Sequence, residues 1–391
     1  MSTLLEPPRP HPDSASHRSG VVCLSLGIFT IVTSEILPVG LLNPIAADFA
    51  VSAGTGGLLL TLPGLAAMVC APLATVATAR FDRRAMLALF MSLLAVANLL
   101  IAAAPAYWLV LVGRALVGLV IGGYWSIGAG LSPRLVRPAA VPTATAIIFA
   151  GVPIGSVLGV PLGTQLGQTV GWRVSFAVLA ALSLMVAAAL LRALPPLPTL
   201  QVTSAAVLFD VLRSRGARTG LMVTALAVIA HFGAYTYVAP FLRDVTGVGA
   251  SLGGFLLIYG AAGIVGTLAT SRTLARSLRG TFAVSAVLIA AATLLLPLLG
   301  RWPVGAIALL IVWGLAYGTI PACSQAWFAR SAPHAPEAAT VLFTSSFQAT
   351  LACGALLGGV VVDAASTGAV MVCAGVLASV TAAAVATCAN G

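Results

Sequence analysis

The chain has 391 residues, of which 60% are hydrophobic and 7% charged, with a mean hydropathy of +1.09 and a formal net charge of +10. Soluble domains carry about a quarter charged residues, so this composition excludes an ordinary water-soluble fold and predicts repeated crossings of a bilayer. All its basic side chains except histidine are arginine; without a lysine there is no Walker-type site for built-in ATP hydrolysis.

Residues 1–20 are rich in Pro, Ser and His and read as a disordered tail on the cytoplasmic side. Runs of about 20 apolar residues between charge and Pro/Gly clusters then predict twelve spans. Six fall at 21–43, 54–78, 84–104, 107–129, 143–166 and 172–194, forming a first bundle over 21–194. A cytoplasmic linker follows at 195–216. The remaining six fall at 217–241, 250–272, 280–299, 302–328, 339–363 and 368–388, a second bundle over 217–388. The expected fold class is an all-α membrane protein of twelve transmembrane helices in two pseudo-repeated six-helix bundles.

A gapless shift of 196 residues supports the repeat. It lays Pro44 on Pro240, Asp48 on Asp244, Arg80 on Arg276, Arg83 on Arg279, and Gly118 and Gly122 on Gly314 and Gly318. Parallel repeats of this kind build a large group of secondary transporters. With the N-terminus assigned to the cytoplasm, fifteen arginines fall inside and three outside (Arg173, Arg243, Arg301), leaving Arg114 within a span to complete the 19. That asymmetry is the positive-inside rule, so the charge sets topology and is not a nucleic-acid footprint. Both termini are then cytoplasmic. The six cysteines lack metal or redox spacing and read as packing residues; no cofactor or metal site is expected. Trp108, Trp172 and Trp302 open spans and read as interfacial belt residues.

Three ionisable residues lie inside spans: Glu35, Arg114 and His231. A charge at mid-helix costs about 2.5–3.5 kcal/mol on insertion scales, so each is a functional candidate. At about 1.5 Å rise per residue, Glu35 and Arg114 both sit roughly 5–6 Å outward of the midplane. His231, the repeat partner of Glu35, falls at the same level. The three are read as proton-coupling residues around one polar cavity, with a purely structural ion pair as the alternative for Glu35 and Arg114. Polar and aromatic residues at compatible depths are the substrate-binding candidates: Thr33, Ser34, Tyr124, Trp125, Tyr235, Tyr237, Tyr259, Trp313, Tyr317, Gln325 and Gln348. Glycines four apart let helices approach closely. Gly155, Gly159 and Gly163 with Pro161 in span 5, and Gly354 and Gly358 in span 11, are therefore assigned to the interface between bundles.

The runs Thr33–Phe49 and Gly113–Trp125 resemble the major facilitator superfamily in its twelve-span drug:proton antiporter division. Within it they are similar to the branch of purine-nucleoside, sugar and chloramphenicol-resistance exporters. The glycines of span 5 resemble that superfamily's antiporter motif, departing from it at Gly-Val-Pro-Leu-Gly (Gly159–Gly163). Arg80, Asp82, Arg83 and Arg84 stand where the family keeps a gating loop, with Asp82 displaced from the usual acid. The resemblance implies a monomeric, proton-coupled exporter of a small polar or amphipathic molecule in a bacterial cytoplasmic membrane. Its partners would be that substrate, protons and the bilayer, with no nucleic acid. A proton symporter working inward and a membrane-embedded sensor or enzyme are the alternatives.

Overall fold

A computed structural model of the chain describes residues 18–77, 81–128, 131–198, 210–249, 251–333 and 335–387. Among these residues there is no strand, and twelve helices are long and apolar enough to cross a membrane. They are α1 (Arg18–Ile36), α2 (Ala53–Ala74), α3 (Arg83–Ala103), α4 (Tyr107–Gly128), α5 (Thr143–Thr169) and α6 (Trp172–Ala193). The second set is α7 (Arg215–Asp244), α8 (Leu252–Leu274), α9 (Leu278–Leu299), α10 (Pro303–Ser331), α11 (Ala338–Ala364) and α12 (Thr367–Thr387). In the first set α2 packs on α4 and α3 on α6, and in the second α8 packs on α10 and α9 on α12. Arg18, Arg215 and Thr387 lie on one face of the molecule, the termini face; the other is the far face.

The repeat is visible in the contacts. A Cβ on Gly118 of α4 would lie 2.2 Å from the Pro63 carbonyl of α2, and one on Gly314 of α10 would lie 2.3 Å from the Tyr259 carbonyl of α8. Both members of the pair are displaced by 196 residues. Hydrocarbon offers no apolar driving force between helices, so backbone contact of this closeness is a main source of packing energy.

Proline shapes α1. The helix ends at Ile36 and restarts as Pro38–Asp48, because Pro38 lacks the N–H that the Ser34 carbonyl would accept. Pro63 inside α2 withdraws the donor for the Leu59 carbonyl in the same way. In α5, Gly155–Gly159 forms a π-helical turn.

The glycine faces lie elsewhere than expected. Gly155 and Gly159 receive Thr33 of α1, and Gly163 receives Leu37, all within the first bundle. Gly354 and Gly358 receive Ile229 and Gly233 of α7, within the second. A small-residue stripe allows close approach to any neighbour, and here the neighbour is the next helix of the same bundle. Between bundles the close contacts fall at other residues. A Cβ on Gly64 of α2 would meet the Gln348 carbonyl of α11 at 2.6 Å, and one on Gly260 of α8 would meet Val157 of α5 at 3.0 Å.

The far face is closed by an acid. Asp363 at the end of α11 accepts from Ser52 Oγ at 2.6 Å and from the Gly54 N–H at 2.9 Å, the opening turn of α2. Nearby, Arg173 forms an ion pair with Asp48 that holds this carboxyl below the usual carboxylate range. Trp172 departs from its expected belt position: it is buried, donates to Asp48 at 3.2 Å and packs against Phe49 and Phe176. Trp108 and Trp302 remain exposed. Cys23, Cys70, Cys323, Cys353 and Cys373 are all free thiols.

Candidate functional site

Arg114 is fully buried on α4, and its guanidinium is spent on backbone. Nε donates to the Leu59 carbonyl at 2.6 Å, one terminal nitrogen to the Ser34 carbonyl at 2.6 Å, and the other to the Glu35 carbonyl at 2.7 Å. Leu59 and Ser34 are the residues whose helical donors Pro63 and Pro38 remove. A planar cation with donors in a fixed fork therefore satisfies carbonyls that two prolines orphan. Arg114 and Glu35 do come together as their depths predict, but through the Glu35 main chain. The sole ion pair among the described residues is Arg173–Asp48, so the structural pair envisaged between Glu35 and Arg114 side chains is not formed.

The Glu35 carboxyl turns instead toward the other bundle. It is 8% exposed and accepts from Gln348 Nε2 of α11 at 3.0 Å. The other end of that amide, Gln348 Oε1, is buried with no hydrogen-bond partner among the described residues. Glu35 and Gln348 thus form a polar contact across the interface between bundles.

His231 stands in a different setting. Its ring stacks on Tyr317 at 3.3 Å between centroids and 6° between planes, and lies parallel to Tyr235 at 5.1 Å. Trp313 donates its indole N–H to His231 Nδ1 at 3.1 Å, so this nitrogen carries no proton and the imidazole is neutral here. Tyr259 stacks on Tyr235 at 4.7 Å and leaves its buried hydroxyl without a partner among the described residues. Five predicted residues, His231, Tyr235, Tyr259, Trp313 and Tyr317, therefore meet in one aromatic cluster of α7, α8 and α10. Phe232 and Phe347, which the sequence reading passed over, extend it.

The other candidates disperse. Ser34 Oγ bonds Asn98 Oδ1 of α3 at 2.8 Å, and Thr33 Oγ1 bonds the Phe29 carbonyl at 2.7 Å, so both are satisfied within the first bundle. Tyr124 is buried toward the termini face, bonded to the Leu24 carbonyl at 3.2 Å, with Trp125 beside it packed on Phe149. Tyr237 lies toward the far face on the Ala355 carbonyl at 2.9 Å, against Gly57 and Gly359. Gln325 lines a cavity of ≈ 360 Å³ with Thr340 between α10 and α11. Of the gating candidates, Arg80 lies outside the described residues. Asp82 caps α3 through Ala85 N at 3.0 Å and accepts from the Leu197 N–H, both within the first bundle and its outgoing chain. Arg83 donates its backbone N–H to the Leu197 carbonyl at 2.9 Å, and Arg84 leads the first turn of α3 beside it.

The profile of the Major Facilitator Superfamily matches residues 24–348. Over 361 residues, 90% of this chain and 89% of its relative, the sequence is 33% identical to the transcription regulatory protein OpdE of Pseudomonas aeruginosa. Over 346 residues, 88% of this chain and 87% of its relative, it is 32% identical to the purine ribonucleoside efflux pump NepI of Escherichia coli. A mutant of the nucleoside transporter NupG superposes with a TM-score of 0.80 at 15% identity, covering 95% of this chain and 99% of that one. A bacterial homolog of the human lysosomal transporter Spinster, inward-facing and unoccupied, superposes with a TM-score of 0.73 at 16% identity, covering 96% and 97%. At such identities the structural likeness speaks for the fold.

Proposed function

Because the chain belongs to the Major Facilitator Superfamily, and is a transporter rather than an enzyme, we propose that it exports a purine ribonucleoside or similar small solute in exchange for protons. The observation that carries the reading is the Glu35 carboxyl, buried at the bundle interface, bonded to Gln348 and forming no ion pair among the described residues. A carboxyl at that interface can exchange a proton once one bundle moves and admits water. The Gln348 amide suits both states. Its Nε2 donates to the carboxylate, and after a half-turn of the amide its unpartnered Oε1 accepts from the protonated acid. The bond between bundles can then form with or without the proton, its direction reversing with proton occupancy.

In this reading 21–194 and 217–388 are the rocking bodies joined by 195–216, and a monomer is the working unit. The termini face is the cytoplasmic side of a bacterial cell membrane, as the arginine asymmetry supports. The aromatic cluster around His231 offers ring faces to a base, with the Tyr259 hydroxyl and Gln348 Oε1 as free polar handles. The name of NepI supports nucleoside export. A second reading, a membrane-bound regulator, draws on the name of OpdE alone.

The test is substrate-driven proton movement in proteoliposomes holding the full chain, with inosine, guanosine, arabinose and chloramphenicol offered in turn. A nucleoside signal that Glu35→Gln loses while retaining inosine–inosine exchange is the expected result. Full concentrative transport by Glu35→Gln removes the coupling role, and silence toward all four solutes favours the regulator.

A further inference from the structure

At the termini face the two bundles finish equivalent corners differently. In the first bundle the chain leaving α6 folds back into the corner. Leu194 presses on Gly20, whose added Cβ would lie 2.8 Å from the leucine methyl. Leu197 bonds Asp82 and the Arg83 N–H, and Arg134 donates to the Pro198 carbonyl at 2.7 Å. Leu194 and Leu197 are both buried there. Displaced by 196, Gly20, Asp82, Arg83 and Arg134 become Gly216, Leu278, Arg279 and Arg330. These four line a cavity of ≈ 890 Å³, together with Arg215, Ser277 and Trp327.

Two exchanges alter its chemistry. The acid Asp82 is replaced by Leu278, and Ser19 by Arg215. Three guanidinium groups thus border the cavity, and none of them is ion-paired among the described residues. Trp327 forms a fixed wall, its indole N–H on the Gly216 carbonyl at 3.2 Å and the Arg279 guanidinium 6.0 Å above its ring. Two long helices also start here. Ser214 caps α7 and Ser277 caps α9, each serine accepting from the N–H three residues on, at 3.2 and 3.0 Å. Their N-terminal ends add positive potential at the same corner.

We propose that this cavity is a binding site for a phosphate oxyanion, held by Arg215, Arg279 and Arg330. Planar guanidinium groups match phosphate oxygens in pairs, and basic pockets between helices at the membrane surface hold lipid headgroups. An anionic phospholipid of the adjoining leaflet and free phosphate share this chemistry.

The full-length transporter in detergent is titrated with dihexanoyl phosphatidylglycerol, dihexanoyl phosphatidylcholine and inorganic phosphate, with thermal unfolding as the readout. Phosphatidylglycerol raises Tm saturably and phosphatidylcholine does not. Arg279→Gln and Arg330→Gln each raise the half-saturating concentration by about fivefold, and Arg279→Lys, which keeps the charge without the fork, falls between. Arg134→Gln, in the filled corner, leaves it unchanged. A response to phosphatidylglycerol alone identifies a lipid headgroup, and an arginine-dependent response to inorganic phosphate identifies a free oxyanion; both uphold the site. A Tm that responds to none of these ligands, or that responds equally in the glutamine variants, overturns it. Because the three arginines are exposed, their single substitution leaves the packed core intact.

Discussion

In the first bundle Ser34, Glu35, Pro38, Pro63 and Arg114 make a charged clamp around a broken helix. In the second, 196 residues on, the same five places hold Ala230, His231, Ala234, Tyr259 and Leu310. The prolines and the arginine are present together or absent together. The reason is mutual: orphaned carbonyls in hydrocarbon need a donor, and a buried guanidinium needs acceptors. Where Ala234 and Tyr259 keep their N–H groups, an arginine would have nothing to bind, and the position reverts to leucine. Freed of that demand, the second bundle spends the region on rings, with Trp313 and Tyr317 where the first has Val117 and Ile121. One bundle carries the titratable acid and its scaffold; the other carries a cluster of stacked rings.

Three substitutions press on this contrast. The largest effect falls on Arg114→Leu, which leaves three buried carbonyls without their donor and lowers stability by about 3–5 kcal/mol. Adding Pro38→Ala and Pro63→Ala restores two helical N–H groups and recovers much of the loss in thermal unfolding. If the triple variant is no better than Arg114→Leu alone, the prolines are not the reason for the arginine. Next is His231→Phe. It keeps the stack on Tyr317 but strands the Trp313 N–H, at about 1–3 kcal/mol. The proton-to-substrate ratio in proteoliposomes stays that of the wild type, while substrate affinity shifts. Loss of coupling in this variant would move proton handling into the aromatic bundle and break the comparison. The smallest effect belongs to Asp363→Asn, which weakens the far-face closure by about 1 kcal/mol at this exposed place. Spin labels at Val51 and Ala365 would then record a larger separated population; an unchanged distance distribution would assign that closure to the glycine contacts.

The twelve spans and the repeat were legible because hydrocarbon thickness and backbone satisfaction act through local composition. That Glu35 and Arg114 share one level was legible too, since helical rise converts sequence position into height. Azimuth was not. Depth brings Glu35 and Arg114 to one level without saying whether guanidinium meets carboxylate or carbonyl, and the answer lay in Pro38 and Pro63. The stripe Gly155–Gly159–Gly163 announces close approach without naming the neighbour, and the neighbour proved to be α1. Asp363 escapes a depth argument because a carboxylate at a span's end costs little. It was still one of only nine acids in the chain, and that scarcity was its signal.

The π-helical turn at Gly155–Gly159 gives α5 a phase shift. A turn closed by five residues holds about one residue more than an α-turn, and one residue is about 100° of rotation. The faces that α5 presents before Gly155 and after Gly159 therefore follow two different wheels. If the wide turn travels along the helix, each residue it passes swings to a new heading while both ends stay in place. Pressed against α1 on one side and α8 on the other, α5 has a means of changing partners by rotation alone.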